Sequence, residues 1–189
     1  MKAYGKLMSL FIQIVVCFTL VYEWLVIFMK AYKYRFTSLY WGESMKRLYG
    51  YGFTRKVIEY LNLEEQMRKW LESIGVKWSP PDYYRGIATA EQLIKVAEMI
   101  PKANLRDRQN DSPTFRTFLK VAKMERRALF ELYVITELRY DERVTVEGVL
   151  IPADRRDLIK YVLKRALKEP DEMWEEEVNG IKYVRMWWD

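Results

Sequence analysis

Hydrophobic residues are concentrated in one unbroken stretch near the start of the chain. Between Leu7 and Met29 the only charged side chain is Glu23. As a helix this stretch would be about 34 Å long, and the hydrocarbon core of a bilayer is about 30 Å thick. The pattern therefore predicts a transmembrane helix. The alternatives are a buried core helix and a cleaved signal peptide, but no small-x-small cleavage motif follows the apolar run.

The residues that follow this stretch are typical of a membrane surface. Residues 30–56 hold seven Lys and Arg against one Glu, so the net charge of +6 is concentrated there. Basic residues next to a transmembrane segment are enriched on the cytoplasmic side, and aromatic residues gather at the interface. We therefore expect a single-pass protein with a cytoplasmic C-terminal domain. The predicted membrane-surface residues are Lys30, Tyr32, Lys33, Tyr34, Arg35 and Trp41.

Two polar residues inside the apolar stretch share a helical face. Thr19 and Glu23 are four positions apart, which is about one helical turn. A carboxylate within the hydrocarbon is costly, so such a residue often contacts a partner helix. We predict an intramembrane helix contact at Thr19 and Glu23. The alternative is a glutamate close to the interface that is reached by Lys30.

The rest of the chain alternates between helical periodicity and short breaks. Apolar residues recur every three or four positions over residues 54–74, 89–100, 113–138 and 153–168, and this spacing predicts four helices. Thr89 and Gln92 form a capping box at the start of the second helix. Pro113 suits the first position of the third.

Strand patterns are confined to the last third of the chain. Residues 144–151 alternate, and Asn179-Gly180 joins two further alternating runs as a type I′ hairpin turn. The predicted fold class is α+β and mainly helical. An N-terminal transmembrane helix precedes a helical domain with a small antiparallel sheet that includes a C-terminal β-hairpin. The predicted divisions are a membrane anchor at 1–31, an aromatic and basic hinge at 32–53, and a soluble domain at 54–189.

Composition restricts the chemistry that this domain can perform. The chain has one cysteine, Cys17, and no histidine. These counts exclude intrachain disulfides, Ser-His-Asp and Cys-His catalysis, and His-ligated metal sites. We assign no catalytic residue, no cofactor and no metal ligand. Few Asn and Gln beside many Lys, Arg and Glu favour a thermophilic source only weakly.

The predicted helix 113–138 carries a stripe of basic residues opposite its apolar face. Helix, turn and basic helix is how many proteins present cations to phosphates, so DNA or RNA is one predicted ligand. Anionic lipid, a partner protein and simple solvation are the alternatives. The residues of this predicted site are Arg106, Arg108, Arg116, Lys120, Lys123, Arg126 and Arg127.

Acidic residues are concentrated at 169–177, which contain six carboxylates and no base. Such a run suits a divalent cation or a basic partner, but a solvated segment is the more common case. Pro170-Asp171 followed by Lys182 is only an incomplete outline of a metal-dependent nuclease. Of Trp187 and Trp188, strand alternation places one in the core and leaves the other as a contact site.

Two functional hypotheses follow. The first is a non-catalytic single-pass membrane protein, a structural or assembly subunit that tethers a partner protein at the lipid surface. The second is a nucleic-acid-binding module that uses the basic helix 113–138. An enzyme is the least favoured class.

Overall fold

A computed structural model describes residues 49–189. These residues form five helices and five strands. The helices are α1 (Phe53–Leu61), α2 (Leu63–Ser73), α3 (Ala90–Met99), α4 (Phe115–Met124) and α5 (Arg156–Leu163). The strands are β1 (Tyr83–Thr89), β2 (Leu129–Ile135), β3 (Arg143–Pro152), β4 (Glu172–Val178) and β5 (Ile181–Trp187). A short 3₁₀ turn at Asn104–Arg106 lies between α3 and α4.

All five strands belong to one antiparallel sheet in the order β1-β2-β3-β5-β4. The register between β2 and β3 shifts between Glu131 and Leu132, which is a β-bulge. The part of β3 not paired with β5 is bound by the loop before α4. There the Asn104 side chain donates to the Val144 carbonyl at 2.7 Å and accepts from the Val144 N–H at 3.0 Å.

The hydrophobic core lies between one face of the sheet and the helices. Alternate strand residues such as Phe130, Leu132 and Val149 are fully buried in the same cluster as Leu93 and Phe118. All five helices contribute residues to this cluster. The intervening strand residues face away from it, and several of these are charged: Arg85, Glu131, Glu147, Glu172 and Arg185.

The predicted fold class is wrong in its proportions. The described residues are about equally helical and extended, so the domain is not mainly helical. The sheet has five strands, whereas the sequence predicts only a small antiparallel sheet. The predicted helix 113–138 ends at Met124 and is followed by β2. At Glu125 the backbone becomes extended, with φ −139° and ψ 105°, and the Arg127 backbone N–H donates to the Glu125 carboxylate at 3.0 Å instead of to a helical carbonyl. Residues 129–135 then alternate with a period of two, which suits a strand.

Two further departures from the prediction come from local backbone geometry. The predicted helix 54–74 is divided at Asn62, whose φ of 51° lies in the left-handed region. Strand β1 was not predicted, because Arg85 and Gly86 interrupt its apolar pattern. Helix α5 is shorter than the predicted 153–168, and Asp154 does not cap it but binds Arg127.

Other local predictions are confirmed. Thr89 and Gln92 form the capping box of α3, with both reciprocal hydrogen bonds present. Asn179 and Gly180 have φ values of 52° and 76° and join β4 to β5. Trp188 is fully buried in the core, so Trp187 is the more exposed of the pair.

No helix within residues 49–189 is long and apolar enough to cross a membrane. The predicted transmembrane segment 7–29 lies outside the described residues, as do Thr19, Glu23 and the predicted membrane-surface residues from Lys30 to Trp41.

Candidate functional site

The structure keeps part of the predicted basic stripe together. Arg116, Lys120 and Lys123 are all exposed on α4. The Lys120 ammonium lies 5.1 Å from the centre of the Tyr161 ring, and the Arg165 guanidinium lies 3.7 Å from the same ring. Cations gain energy over an aromatic face, so Tyr161 brings the bases of two helices together.

We call this region the α4–α5 basic surface. It comprises exposed bases from both helices and from the residues that end α5: Arg116, Lys120, Lys123, Lys160, Lys164 and Arg165. The predicted site does not include the bases of α5, because the spacing of residues within one helix does not show which other helix packs against it.

The remaining predicted basic residues are not part of this surface. Arg126 is exposed in the turn between α4 and β2. Arg127 is bound by Glu125 at 2.9 Å and by Asp154 at 3.1 Å, so its charge is already paired. Arg106 lies at the end of the 3₁₀ turn, and the Nη1 atom of Arg108 is enclosed by protein.

A second candidate site lies on the sheet face that points away from the core. It is a cavity of about 450 Å³ that is lined by residues of all five strands, and we call it the sheet-face cleft. Helix α2 and several strands supply its apolar walls through Met67, Trp70, Ile87 and Trp187. Five charged side chains also line it: Arg85, Glu131, Glu147, Glu172 and Arg185. A mostly apolar concavity with a few converging polar groups is typical of a binding site.

The position of Glu131 depends on the bulge and on a glycine. Glu131 precedes the register shift between β2 and β3 and pairs with Gly148. A Cβ atom on Gly148 would lie only 1.9 Å from Glu131 Oε2, so the carboxylate occupies the space that any other residue would fill. Bulges and strand glycines are common where a side chain is redirected or a group approaches closely.

The two oxygens of Glu131 are in different environments. Oε1 accepts a hydrogen bond from Arg185 Nε at 2.8 Å, and Arg185 Nη2 forms an ion pair with the same oxygen at 2.8 Å. Oε2 is buried and has no hydrogen-bond partner among the described residues. Burial raises the pKa of Glu131, and the Arg185 guanidinium opposes that increase. A buried acceptor without a donor is unusual in a folded protein and costs stability.

Glu147 is the second buried carboxylate of the cleft. Its side chain is only 6% exposed and lies 3.2 Å from Arg85 Nε. Burial raises the pKa of Glu147 to about 7, although the charge of Arg85 opposes the increase. The negative charge of Glu131 acts in the same direction as burial. At neutral pH this carboxylate is therefore close to half-protonated. Such perturbed pKa values are common for groups at functional sites.

Aromatic rings hold the two arginines of the cleft. The Arg185 guanidinium lies 4.3 Å from the centre of the Trp174 ring, and Arg85 lies 5.4 Å from that of Tyr133. Tyr133 in turn stacks on Tyr83 with ring centres 5.0 Å apart. Both guanidinium groups are thus held by packing against an aromatic ring as well as by an ionic partner.

The acidic run predicted at 169–177 contributes one residue to this cleft. Glu172 lies on β4, 3.7 Å from Arg185 Nη1. Most of β4 is otherwise exposed at the edge of the sheet. Within residues 49–189, no group of three acidic, Cys or His side chains is arranged to hold a metal ion.

The carboxylates at the centre of the cleft were missed from the sequence. The sequence pattern places Glu131 in the predicted helix 113–138 and Glu147 at a polar position of the predicted strand 144–151. One feature of the sequence could have indicated this site. Gly148 follows Glu147 inside the predicted strand, and a glycine within a strand often marks a bulge or a close approach by another group.

Comparison of this chain with protein-family models, curated proteins and solved structures finds no significant match.

Proposed function

We propose that this protein is a non-catalytic membrane-anchored subunit whose C-terminal domain tethers a partner protein through the sheet-face cleft. The observation that carries the proposal is the Glu131 side chain, which lines a preformed, aromatic-walled cavity and whose buried Oε2 has no hydrogen-bond donor among the described residues. A buried acceptor without a donor costs stability, and a donor supplied by a bound partner would remove that cost.

The membrane half of the proposal rests on the sequence. Residues 7–29 are long and apolar enough to span a bilayer, and basic residues follow them directly. On this proposal the C-terminal domain stands on the cytoplasmic side, with the basic segment at anionic lipid headgroups.

The arrangement of charges supports binding more than catalysis. Glu131 is held by Arg185 and Glu147 by Arg85, so both carboxylates are fixed by ionic partners. Glu172, Glu175, Glu176 and Glu177 make the neighbouring strand β4 strongly acidic. Charge complementarity therefore favours a partner that presents a basic segment.

Site-specific photo-crosslinking tests the tethering role. A benzophenone amino acid replaces Ile87, which is 51% exposed in the cleft wall, in the full-length protein in its native cells. The matched control places the same group at Leu138, which is 67% exposed and does not line the cleft.

We expect one discrete cross-linked product that sediments with membranes, that forms only from position 87, and that Glu131→Gln abolishes. Equal products from both positions, or no product from position 87, would overturn the tethering role.

A second candidate function is nucleic-acid binding by the α4–α5 basic surface. The observation that favours it is the convergence of Lys120 and Arg165 on Tyr161, which joins two basic helices into one surface. Binding would be measured by fluorescence anisotropy of a short DNA duplex across a salt series, with the full-length protein in detergent micelles.

We expect Lys120→Glu combined with Lys123→Glu to weaken binding and to reduce the slope of log affinity against log salt by about 2. The control reverses two exposed lysines elsewhere, Lys77 and Lys182, and so changes the net charge equally. No association at low salt, or an equal loss in the control, contradicts DNA binding.

A further inference from the structure

The geometry of the sheet-face cleft points to its ligand. We propose that the cleft binds one lysine side chain of the partner protein, with the ammonium group between Glu131 and Glu147 and the aliphatic stem against the apolar walls. This inference rests on the proposed tethering function and names the chemistry that the partner must present.

The charge balance of the cleft calls for a cation. Three carboxylates, Glu131, Glu147 and Glu172, face two guanidinium groups, Arg85 and Arg185. When Glu147 is deprotonated the cleft carries one uncompensated negative charge, and a bound cation would favour that deprotonated form. A single positive group would neutralise it and would restore a hydrogen bond to Glu131 Oε2.

The acceptor geometry favours an ammonium over a guanidinium. Arginine binds carboxylates best when it reaches both oxygens in a bidentate fork. Glu131 Oε1 already accepts from Arg185, so the carboxylate has one oxygen, Oε2, without a hydrogen-bond partner among the described residues. A compact ammonium can donate to this single oxygen and direct its other protons to Glu147.

The Glu131 carboxylate must turn slightly to present Oε2 to a ligand. The side chain is 16% exposed and lines the cavity, while Oε2 itself is buried over Gly148. The terminal torsion of glutamate is broad, and the ion pair of Oε1 with Arg185 limits how far the carboxylate can turn.

The walls match the remainder of a lysine side chain. Met67, Trp70 and Trp187 present apolar surface beside the carboxylates. Lysine commonly buries its four-carbon stem along such surface while its head reaches a polar group. The cavity of about 450 Å³ can hold that side chain together with part of its backbone.

The test uses two capped five-residue peptides that are alanine except at the centre, one with lysine and one with norleucine. Binding to the full-length protein in detergent micelles is followed by the NMR signals of the Trp70 and Trp187 indole N–H groups. Free n-butylamine is the third probe, because it carries the ammonium without a peptide.

We expect saturable binding of the lysine peptide, no saturation by the norleucine peptide, and weaker binding of n-butylamine. Glu131→Gln should lower the affinity by about 10-fold or more, which is typical when a hydrogen bond to a charged group is lost. The control Glu177→Gln removes an exposed carboxylate of β4 that does not line the cavity and should leave the affinity within about 2-fold.

Equal binding of both peptides would overturn the cation site, and so would equal losses in the two variants. Binding of n-butylamine as tight as the peptide would assign the cleft to free amines instead of a protein segment. Unchanged circular dichroism in Glu131→Gln separates loss of the site from loss of the fold, and Glu147→Gln provides a second variant if it does not. A position-87 cross-link without lysine binding would defeat this inference and leave the tethering function intact.

Discussion

At the residue scale, the contact between Glu131 and Gly148 is the most specific feature of the cleft. Only glycine allows the carboxylate to lie on the sheet at this point, because a Cβ would overlap Oε2 and also approach Trp187 at 3.1 Å. We expect Gly148→Ala to push the carboxylate away, to break its bond to Arg185, and to lower the free energy of unfolding by about 1–3 kcal/mol.

A double-mutant cycle isolates this contact. In the Glu131→Ala background the same glycine substitution no longer meets the carboxylate and approaches only Trp187, so its cost should be smaller by about 1 kcal/mol or more. Urea unfolding followed by tryptophan fluorescence measures each variant. Equal costs in the two backgrounds would show that Gly148 serves the backbone and not Glu131.

Glu147 should make the stability of the domain depend on pH near neutrality. Its pKa in the folded state is about 7, against an ordinary value of 4.5. The folded protein therefore holds a proton that the unfolded chain has released, and stability falls as the pH rises from about 4.5 to about 7. The size of this loss is at most about 3 kcal/mol.

We expect Glu147→Gln to remove this loss. The free energy of unfolding of the variant should therefore rise relative to that of the wild type between pH 5 and pH 8. The matched control is Glu125→Gln. Interactions with Arg127 hold the pKa of Glu125 down at about 2, so its contribution is lost only as the pH falls from about 4.5 to about 2. A wild-type stability that does not fall between pH 5 and pH 8 would contradict the assignment to Glu147.

At the element scale, the break between α1 and α2 depends on one residue with positive φ. Asn62 has a φ of 51°, and its backbone N–H donates to the Glu59 carbonyl at 3.1 Å. Asparagine tolerates this conformation better than most residues with a Cβ, and glycine tolerates it best.

We expect Asn62→Ala to destabilise the domain by about 1 kcal/mol and Asn62→Gly to have little or no effect. Thermal unfolding followed by circular dichroism checks both variants. A glycine variant as unstable as the alanine variant would mean that the Asn62 side chain matters more than its backbone conformation.

The elements that local chemistry defines could be predicted from the sequence. The type I′ turn at Asn179-Gly180 and the capping box at Thr89 each depend on residues close together in the chain, and both are present. Strand β2 could not be identified in the same way. Leu129 and Tyr133 continue the apolar spacing of α4, and only the hydrogen bonds of Glu125 and the pairing with β1 and β3 show where the helix ends.

The same limit explains why the cleft was not foreseen. Glu131, Glu147 and Arg185 belong to three different strands, and only the sheet register brings them together. The bases of α4 could be found because they recur along one helix, but their union with Arg165 depends on the packing of Tyr161. Local patterns thus indicate single elements, whereas sites built from several strands require the topology.

At the scale of the described domain, charges of opposite sign lie on different elements. The bases of the α4–α5 surface belong to helices that cover one sheet face, while the cleft carboxylates lie on strands and point away from the core. Edge strand β4 is also acidic, and charged edge strands resist pairing with other chains. A domain arranged in this way can bring an anionic surface and a basic protein segment together without either competing for the same residues.

The membrane anchor is the remaining prediction at this scale. We expect the full-length protein to remain in the membrane pellet after a high-salt wash without detergent, because salt screens headgroup attraction but does not release a spanning helix. Deletion of residues 1–31 should move the protein to the supernatant if that segment is the anchor.

The orientation of the full-length protein is tested separately. Protease added to inside-out vesicles should remove the C-terminal domain, since the basic residues after Met29 favour its cytoplasmic placement. Full-length protein in the supernatant would overturn the anchor and would leave the cleft and the α4–α5 basic surface to be explained as sites of a domain that meets its partner away from the bilayer.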